Sequence, residues 1–384
     1  MLYWLGSYLS NYWGPFRLLS SHLTLLAVGA MFAALAVWFL LPRLWDKLPH
    51  DHGKQQAADG GTESKGKPTG AGVLITLILL PIITLFAPMG RWEACTLASL
   101  YGIMITGFLD DASKTPWGEI RKGMLDLLFA ALATVFIYLE QGSTIWIPGT
   151  KAVFTISPWL YIAGGTILLW MAINATNCSD GVDSLAGSLT LMELFFFAGI
   201  LYGVVGYAPI AKYLLVPLNP NGARWAILLM ICAGGMTGYL WHNAYPSAVL
   251  MGDAGSRFYG LLVGVACLVT GNPLLLFIVA PVVLANGGTG IVKLVVLRFF
   301  RVLGFQVTPP SRLPEEERKK VPGFIKLLHK VRFPPARPFQ ASRLVETADS
   351  CTFRPDSVLP HAAVVHHQRK NPLSDVTRNP EPFR

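Results

Sequence analysis

The sequence predicts an all-α polytopic membrane protein, and three observations carry that prediction. Of 384 residues, 53% are hydrophobic and only 14% are charged, far below the roughly 25% charged that coats an ordinary soluble domain. Apolar windows of the roughly 17 to 25 residues needed to cross about 30 Å of hydrocarbon as a helix recur along the chain, about nine in all. Lysine and arginine gather in alternate connections between these windows, the bias that orients membrane helices.

Taken in order, Met1 to His22 carries Tyr3, Trp4, Tyr8, Tyr12, Trp13 and Phe16 with one arginine. That composition suits an interfacial segment better than a basic-started signal peptide, so no cleaved signal is expected. The membrane domain is then expected over 23–333. Its spans are Leu23 to Leu41, Ala71 to Phe86, Glu93 to Leu109, Gly123 to Leu139, Pro158 to Ile173, Ser184 to Val205, Trp225 to Trp241, Arg257 to Thr270, and Pro273 to about Leu297. The last has a weak point at Gly287-Gly288. Between the fourth and fifth spans, Thr144 to Ser157 reads as a small hairpin, with Ile145, Ile147, Val153 and Ile156 around Pro148-Gly149.

The connection after the first span holds Arg43, Lys47, Lys54, Lys65 and Lys67, and that after the third holds Lys114, Arg121 and Lys122. Both are expected on the cytoplasmic side, which leaves the N-terminus outside. Parity then puts three acidic stretches on one cytoplasmic face: Asp110-Asp111, Asn174 to Asp183, and the Asp253 loop between the seventh and eighth spans.

Carboxylates are costly in or beside hydrocarbon, so their gathering calls for a reason. Asp110 and Asp111 suit either a hydrated helix exit or, with Lys114, Arg121 and Lys122 close behind, a phosphate whose charge is shared with a divalent ion. Asn174, Asn177, Asp180 and Asp183 suit either a turn or a dense polar reader, while Ser179 and Ser184 read as turn and cap residues. Met251-Gly-Asp-Ala-Gly-Ser256 is a weak signal alone. Glycines flanking Asp253 nonetheless let its carboxylate and nearby amides approach a metal-phosphate complex without an obstructing Cβ.

Four motifs in one order, Lys65-Gly-Lys-Pro-Thr-Gly-Ala-Gly72, Gly107-Phe-Leu-Asp-Asp111, Asn174-x-x-Asn-x-x-Asp-Gly-x-Asp183 and Met251-Gly-Asp-x-Gly-Ser256, resemble the polyprenyl-phosphate N-acetylhexosamine-1-phosphate transferase superfamily. Within it, the chain is most similar to the branch that transfers phospho-N-acetylmuramoyl-pentapeptide, over about residues 20–330. The resemblance implies transfer of the sugar phosphate of UDP-N-acetylmuramoyl-pentapeptide to undecaprenyl phosphate, with release of UMP. It implies a role in peptidoglycan synthesis, and so in cell shape and division, at the cytoplasmic face of the bacterial inner membrane.

Magnesium is the implied cofactor. Asp253 matches the family's magnesium-binding aspartate, with Asp111 as a second candidate ligand, and Asp110 matches the acid proposed to deprotonate or orient the lipid phosphate. Asn177, Asp180 and Asp183 match nucleotide-recognition positions, with Asn174 nearby. Lys65, Thr69, Lys114 and Lys122 are candidate phosphate contacts, Lys65 and Lys67 competing for the lysine of the first motif. Dimerisation is expected from the resemblance alone.

The resemblance fails at the C-terminus. The histidine-rich motif and tenth span typical of such proteins are not recognisable, and residues 334–384 turn rich in Pro, Arg, Ser and Thr. This tail is expected to be disordered or frame-shifted, which puts the activity of this chain in question, and His361, His366 and His367 do not restore the motif. Cys95, Cys178, Cys232, Cys267 and Cys351 form no C-x-x-C pair. The net charge of +9 suits anionic lipid headgroups and not nucleic acid. Two rival readings are a related N-acetylglucosamine-1-phosphate transferase and, from another class, a transporter or non-catalytic lipid-binding protein. Transporters place their ionisable sites near the bilayer midplane.

Overall fold

A backbone in hydrocarbon must satisfy its hydrogen bonds within itself, and this chain does so with helices. The computed structural model describes residues 1–50, 66–113, 115, 117–147 and 152–303. Lys65, Lys114 and the whole tail therefore lie outside the described residues. The helices are α1 (Leu2–Leu9), α2 (His22–Leu44), α3 (Ala71–Phe86), α4 (Arg91–Asp111), α5 (Glu119–Gln141), α6 (Pro158–Ser179), α7 (Leu185–Gly199), α8 (Ala208–Leu214), α9 (Gly222–Asn243), α10 (Gly252–Val269), α11 (Leu275–Val279) and α12 (Pro281–Val302). Strands β1 (Thr144–Trp146) and β2 (Val153–Thr155) pair antiparallel, Ile145 opposite Phe154, so the expected hairpin is present.

Among the described residues six helices are long and apolar enough to cross a membrane: α2, α4, α5, α6, α7 with its π-type extension, and α9. The other expected spans coincide with α3, α10 and the α11–α12 pair. The chain is an all-α multi-pass membrane protein. Several helices run past the expected span ends, and the extra turns carry polar residues. Asp110 and Asp111 are on the last turn of α4, Lys122 on the first turn of α5, Asn174 and Asn177 on the last turns of α6, and Asp253 on the first turn of α10. Residues expected in loops are thus held by helical backbone.

One expectation is corrected. The last span does not weaken at Gly287-Gly288; it breaks at Ala280, and α12 continues through both glycines. Pro281 causes the break, because it has no N–H to extend α11 and its fixed φ suits the first turn of a new helix. Gly287 serves packing instead: a Cβ there would fall 2.6 Å from the Ala175 carbonyl oxygen of α6.

Helix α10 is the axis of the bundle. Every residue from Ala254 to Val269 is buried, and α3, α4, α5, α6, α7 and α9 all pack against it. Lipid tails are as apolar as leucine, so helices in a membrane associate through close backbone approach rather than through hydrophobic burial. Small residues provide that approach. Gly72 of α3 meets the Gly255 backbone of α10, a Cβ on Gly107 of α4 would lie 2.6 Å from the Asp253 carbonyl oxygen, and one on Gly260 would lie 2.8 Å from Ile173 Cα of α6.

The two ends of the bundle differ. Where α3 and α10 finish, the Met1 ammonium donates to the carbonyls of Thr84 and Leu85 at 3.1 and 2.9 Å. There too Trp146 of the hairpin donates its indole N–H to the Thr270 carbonyl at 2.7 Å. The acids expected to share a face all lie at the opposite end, where α10 begins.

Close packing at Gly107 makes a prediction. Gly107→Ala forces α4 away from α10 and lowers stability in detergent by about 1–3 kcal/mol, the usual cost of overpacking. Gly123→Ala, with open space around its Cβ position, leaves the thermal midpoint unchanged or slightly raised.

Candidate active site

Three helices deliver carboxylates or their partners to one point. Lys122 of α5 forms an ion pair with Asp110 Oδ2 of α4 and another, at 3.1 Å, with Asp253 Oδ2 of α10. The second Asp110 oxygen accepts from the Trp117 amide at 2.8 Å, which draws the α4–α5 connection against the site. Asp253 is fixed from the other side as well, its Oδ1 accepting from Asn177 Nδ2 of α6 at 3.1 Å. The same amide nitrogen donates to Ser256 Oγ at 2.9 Å. Asp110 is nearly buried, whereas Asp253 and Lys122 keep about a fifth of their side-chain surface open, at 22% and 23%. The cluster is therefore reachable from the end of the bundle.

Asp111 does something different. Its two oxygens accept from the amides of Asp253 and Ala254, each at 3.1 Å. These are free donors of the first turn of α10, so Asp111 caps that helix from α4, where a negative charge also complements the helix dipole. Gly252 sits at φ +73°, and a Cβ there would come 2.5 Å from Asp111 Oδ2 and 2.7 Å from the Gly70 amide nitrogen. Glycine is required on both counts.

The first motif joins this cluster to a second polar group. Its backbone runs beside the segment before α10, with Leu250 N donating to Pro68 O at 2.9 Å and the Ala71 and Gly72 amides to Leu250 and Met251 carbonyls at 3.0 Å each. At its start Lys67 donates to Ser247 Oγ at 3.0 Å and lies 3.9 Å from Asp183 Oδ2. Asp183 also accepts from the Ser247 amide at 3.1 Å. Thr69 lies in the same strip, its amide held by the Pro49 carbonyl at 2.8 Å.

The sequence-level site is thus mostly assembled. Asp110, Asp111, Lys122, Asn177 and Asp253 converge, and Asp183 forms the adjoining group with Lys67, the competitor of Lys65. Asn174 instead turns back on its own helix, donating to the Trp170 carbonyl at 2.9 Å, and Asp180 caps the C-terminus of α6. Arg121 lies with its guanidinium 3.7 Å from the Trp117 ring centroid, stacked on that ring. Ser184 stands at the N-cap position of α7 with a left-handed φ of +62°, but its hydroxyl donates to the Asn243 carbonyl at 3.0 Å and not to an amide of the helix.

One pairing is not apparent in the sequence. Asp126 and Arg257 lie 3.6 Å apart, each with 3% of its side chain exposed. Each stands four residues after a site residue, Lys122 and Asp253, and their charges inside apolar stretches were the available signal.

Similarity to known proteins agrees with this geometry. The profile of glycosyl transferase family 4 matches residues 94–271. A phospho-N-acetylmuramoyl-pentapeptide-transferase of Treponema pallidum is 44% identical over 77% of this chain and 82% of its own length. This chain belongs to the phospho-N-acetylmuramoyl-pentapeptide-transferase family. Proteins of that name from Geobacter sp. and Brachyspira hyodysenteriae are 31% and 28% identical, over 68% and 73% of this chain and 76% and 82% of their own lengths. In this transferase-family member, the matched profile spans α4 to α10, which includes every helix that meets at Lys122 and Asp253.

The capping role of Asp111 is testable without substrate. Asp111→Asn leaves one acceptor oxygen for two amides, so exchange at the Asp253 and Ala254 N–H groups accelerates about tenfold, as expected for a charge-assisted bond of about 1.5 kcal/mol. Hydrogen exchange read by mass spectrometry over 251–256 measures it.

Proposed function

We propose that this chain transfers phospho-N-acetylmuramoyl-pentapeptide from its UDP-linked donor to undecaprenyl phosphate, releasing UMP, at the cytoplasmic face of the bacterial inner membrane. The observation that carries the reading is the convergence of Asp110, Asp253 and Lys122, from three helices, at the end of a membrane bundle. Such a position is open to a water-soluble nucleotide sugar and to a phosphate at the head of a lipid. The identity to phospho-N-acetylmuramoyl-pentapeptide-transferases supports the choice of sugar over N-acetylglucosamine.

The residues present fit magnesium. Asp110 and Asp253 already direct an oxygen each at one cationic centre, the Lys122 ammonium, and magnesium takes one or two carboxylates when substrate phosphates and water supply the rest. Asp253 would hold it, with Asp110 across from it; Asp111 is the weaker candidate ligand, since both its oxygens serve α10. Bound there, the ion would neutralise diphosphate charge as it builds on the leaving group.

In this reaction an oxygen of the lipid phosphate attacks the β-phosphorus of the donor, a new P–O bond forms, and the bond to UMP breaks. Asp110 positions the attacking phosphate through Lys122 and does not need to remove its proton, because a phosphate's second pKa of about 6 leaves it mostly dianionic at neutral pH. Lys122 supplies a charge-assisted donor to phosphate oxygens. Asn177 fixes the Asp253 carboxylate, and the Lys67–Asp183–Ser247 group beside it offers the donors and acceptors that a uridine or ribose would meet.

Purified protein in lipid, given magnesium and undecaprenyl phosphate, is expected to consume UDP-N-acetylmuramoyl-pentapeptide and to exchange labelled UMP into it. Product from UDP-N-acetylglucosamine alone would move the assignment to the related transferases, and failure of both would remove it. Asp253→Asn should cost about 10²–10³ in kcat, the scale for losing one electrostatic stabiliser. Asp110→Asn should lower turnover without shifting its pH profile, whereas a shifted profile would make Asp110 a base.

A further inference from the structure

The buried pair beneath the site repeats the site's ion pairing with the signs exchanged. Along α5, Lys122 is followed four residues later by Asp126; along α10, Asp253 is followed four residues later by Arg257. The two helices start at the same end of the bundle and run the same way, so the pairs stack as successive rungs. Lys122 meets Asp253 at 3.1 Å, and one turn deeper Asp126 meets Arg257 at 3.6 Å.

We propose that Asp126 and Arg257 are positioning residues for this reaction, fixing the register of α5 against α10 so that Lys122 stays within reach of Asp253. The proposal rests on the transferase reading for its kinetic part only. Alternating signs specify register because a slip of one helical turn, about 5.4 Å, would set Lys122 against Arg257 or Asp126 against Asp253. Either slip places like charges together in a membrane interior, where an uncompensated charge is strongly disfavoured. The pair contributes sign rather than directional bonding. Asp126 Oδ1 and Arg257 Nη1, the two atoms that face each other, have no hydrogen-bond partner among the described residues. Elsewhere α10 is also held by hydrogen bonds, among them Gln141 Nε2 at the far end of α5 to the Leu268 carbonyl at 3.0 Å and the Asp253 and Ala254 amides to Asp111; the two charged rungs add the penalty for a slipped register that such bonds lack. Buried polar groups that choose one register at a cost in stability are well attested in helical assemblies.

Two double variants separate positioning from plain stabilisation. Asp126→Leu with Arg257→Met removes both charges together, avoiding an orphaned ion. Asp126→Arg with Arg257→Asp keeps a neutral pair but gives α5 two cations and α10 two anions, so that a one-turn slip no longer opposes like charges. Each is compared with the unaltered protein in lipid nanodiscs by two readouts. The first is the rate at which Lys122 is acetylated, relative to the exposed Lys212, followed by mass spectrometry and independent of any transferase activity. The second is the division of lost turnover between kcat and KM.

In the Leu/Met variant Lys122 labelling is expected to rise about tenfold, the equivalent of losing roughly 1.4 kcal/mol of hold on its ammonium, whereas in the exchanged variant, where Lys122 can face an anion at either level of α10, the effect is read in kcat. On the kinetic side, kcat is expected to fall by up to about a hundredfold with the donor KM little changed, because a misplacement of about 1 Å has that effect. Lys122 labelling unchanged in the Leu/Met variant, whatever its thermal midpoint, would overturn the proposal. If the unaltered protein transfers nothing, the function proposed above fails while the labelling comparison still decides this one.

Discussion

The enclosure of α10 is the constraint on which the rest of the structure depends. A helix buried from Ala254 to Val269 touches no lipid, so its orientation and depth are set by neighbouring helices alone. Its first turn carries Asp253, and whatever fixes α10 fixes that carboxylate. Gly72 and Gly107 let α3 and α4 approach its backbone at the level of Asp253 and Gly255, and Asp111 ties its first free amides to α4. A site at the mouth of a bundle is mobile if it rests on loops. This one rests on a helix whose every residue from Ala254 to Val269 is buried.

Charge then arranges what packing has confined. Lys122 lies between Asp110 and Asp253, Asn177 restrains the remaining oxygen of Asp253, and Asp111 spends its charge on a helix terminus. Adjacent aspartates in one motif therefore have separate work. Asp110 faces the cation, and Asp111 holds the helix from which Asp253 projects. Loss of Asp111 would damage the site through the backbone of α10, even if no substrate atom ever touched it.

Much of this was legible in the sequence, for identifiable reasons. Long apolar windows found the helices because hydrocarbon imposes a length and a composition, and parity placed the acids at one end because connected helices must alternate. Helix ends were misplaced where polar residues extend a helix beyond its apolar part, as at Asn174 to Ser179 and Gly252 to Asp253; windows measure hydropathy, while the backbone follows hydrogen bonding. The glycines of α12 were mistaken for a break because a glycine that admits a neighbour and a glycine that frees a chain look alike in sequence. The pairing of Asp126 with Arg257 is not legible in the sequence, where the two charges stand 131 positions apart. Their partnership requires knowing that α5 and α10 touch.

The balance of charge bears on how anionic reactants could meet here. Among the described residues, Asp110 and Asp253 share the Lys122 ammonium, Asp111 is taken up by the first amides of α10, and the Asp126–Arg257 pair lies one turn deeper. Among the described residues, carboxylates outnumber cations at the point where, on the proposed reading, a diphosphate and a lipid phosphate must come together. Repulsion of that kind would oppose both reactants unless positive charge arrived with them, and a divalent ion bound to a nucleotide diphosphate would bring it. The acids then change from an obstacle into a selectivity device. On the proposed reading they would favour a metal-loaded donor over the free one, and Lys122, no longer needed to neutralise both Asp110 and Asp253, would be left to face the phosphates. On that reading, holding Lys122 at one depth along α10 would keep the exchange of partners local, and the proposed register lock one turn beneath the site would matter to its chemistry in that way.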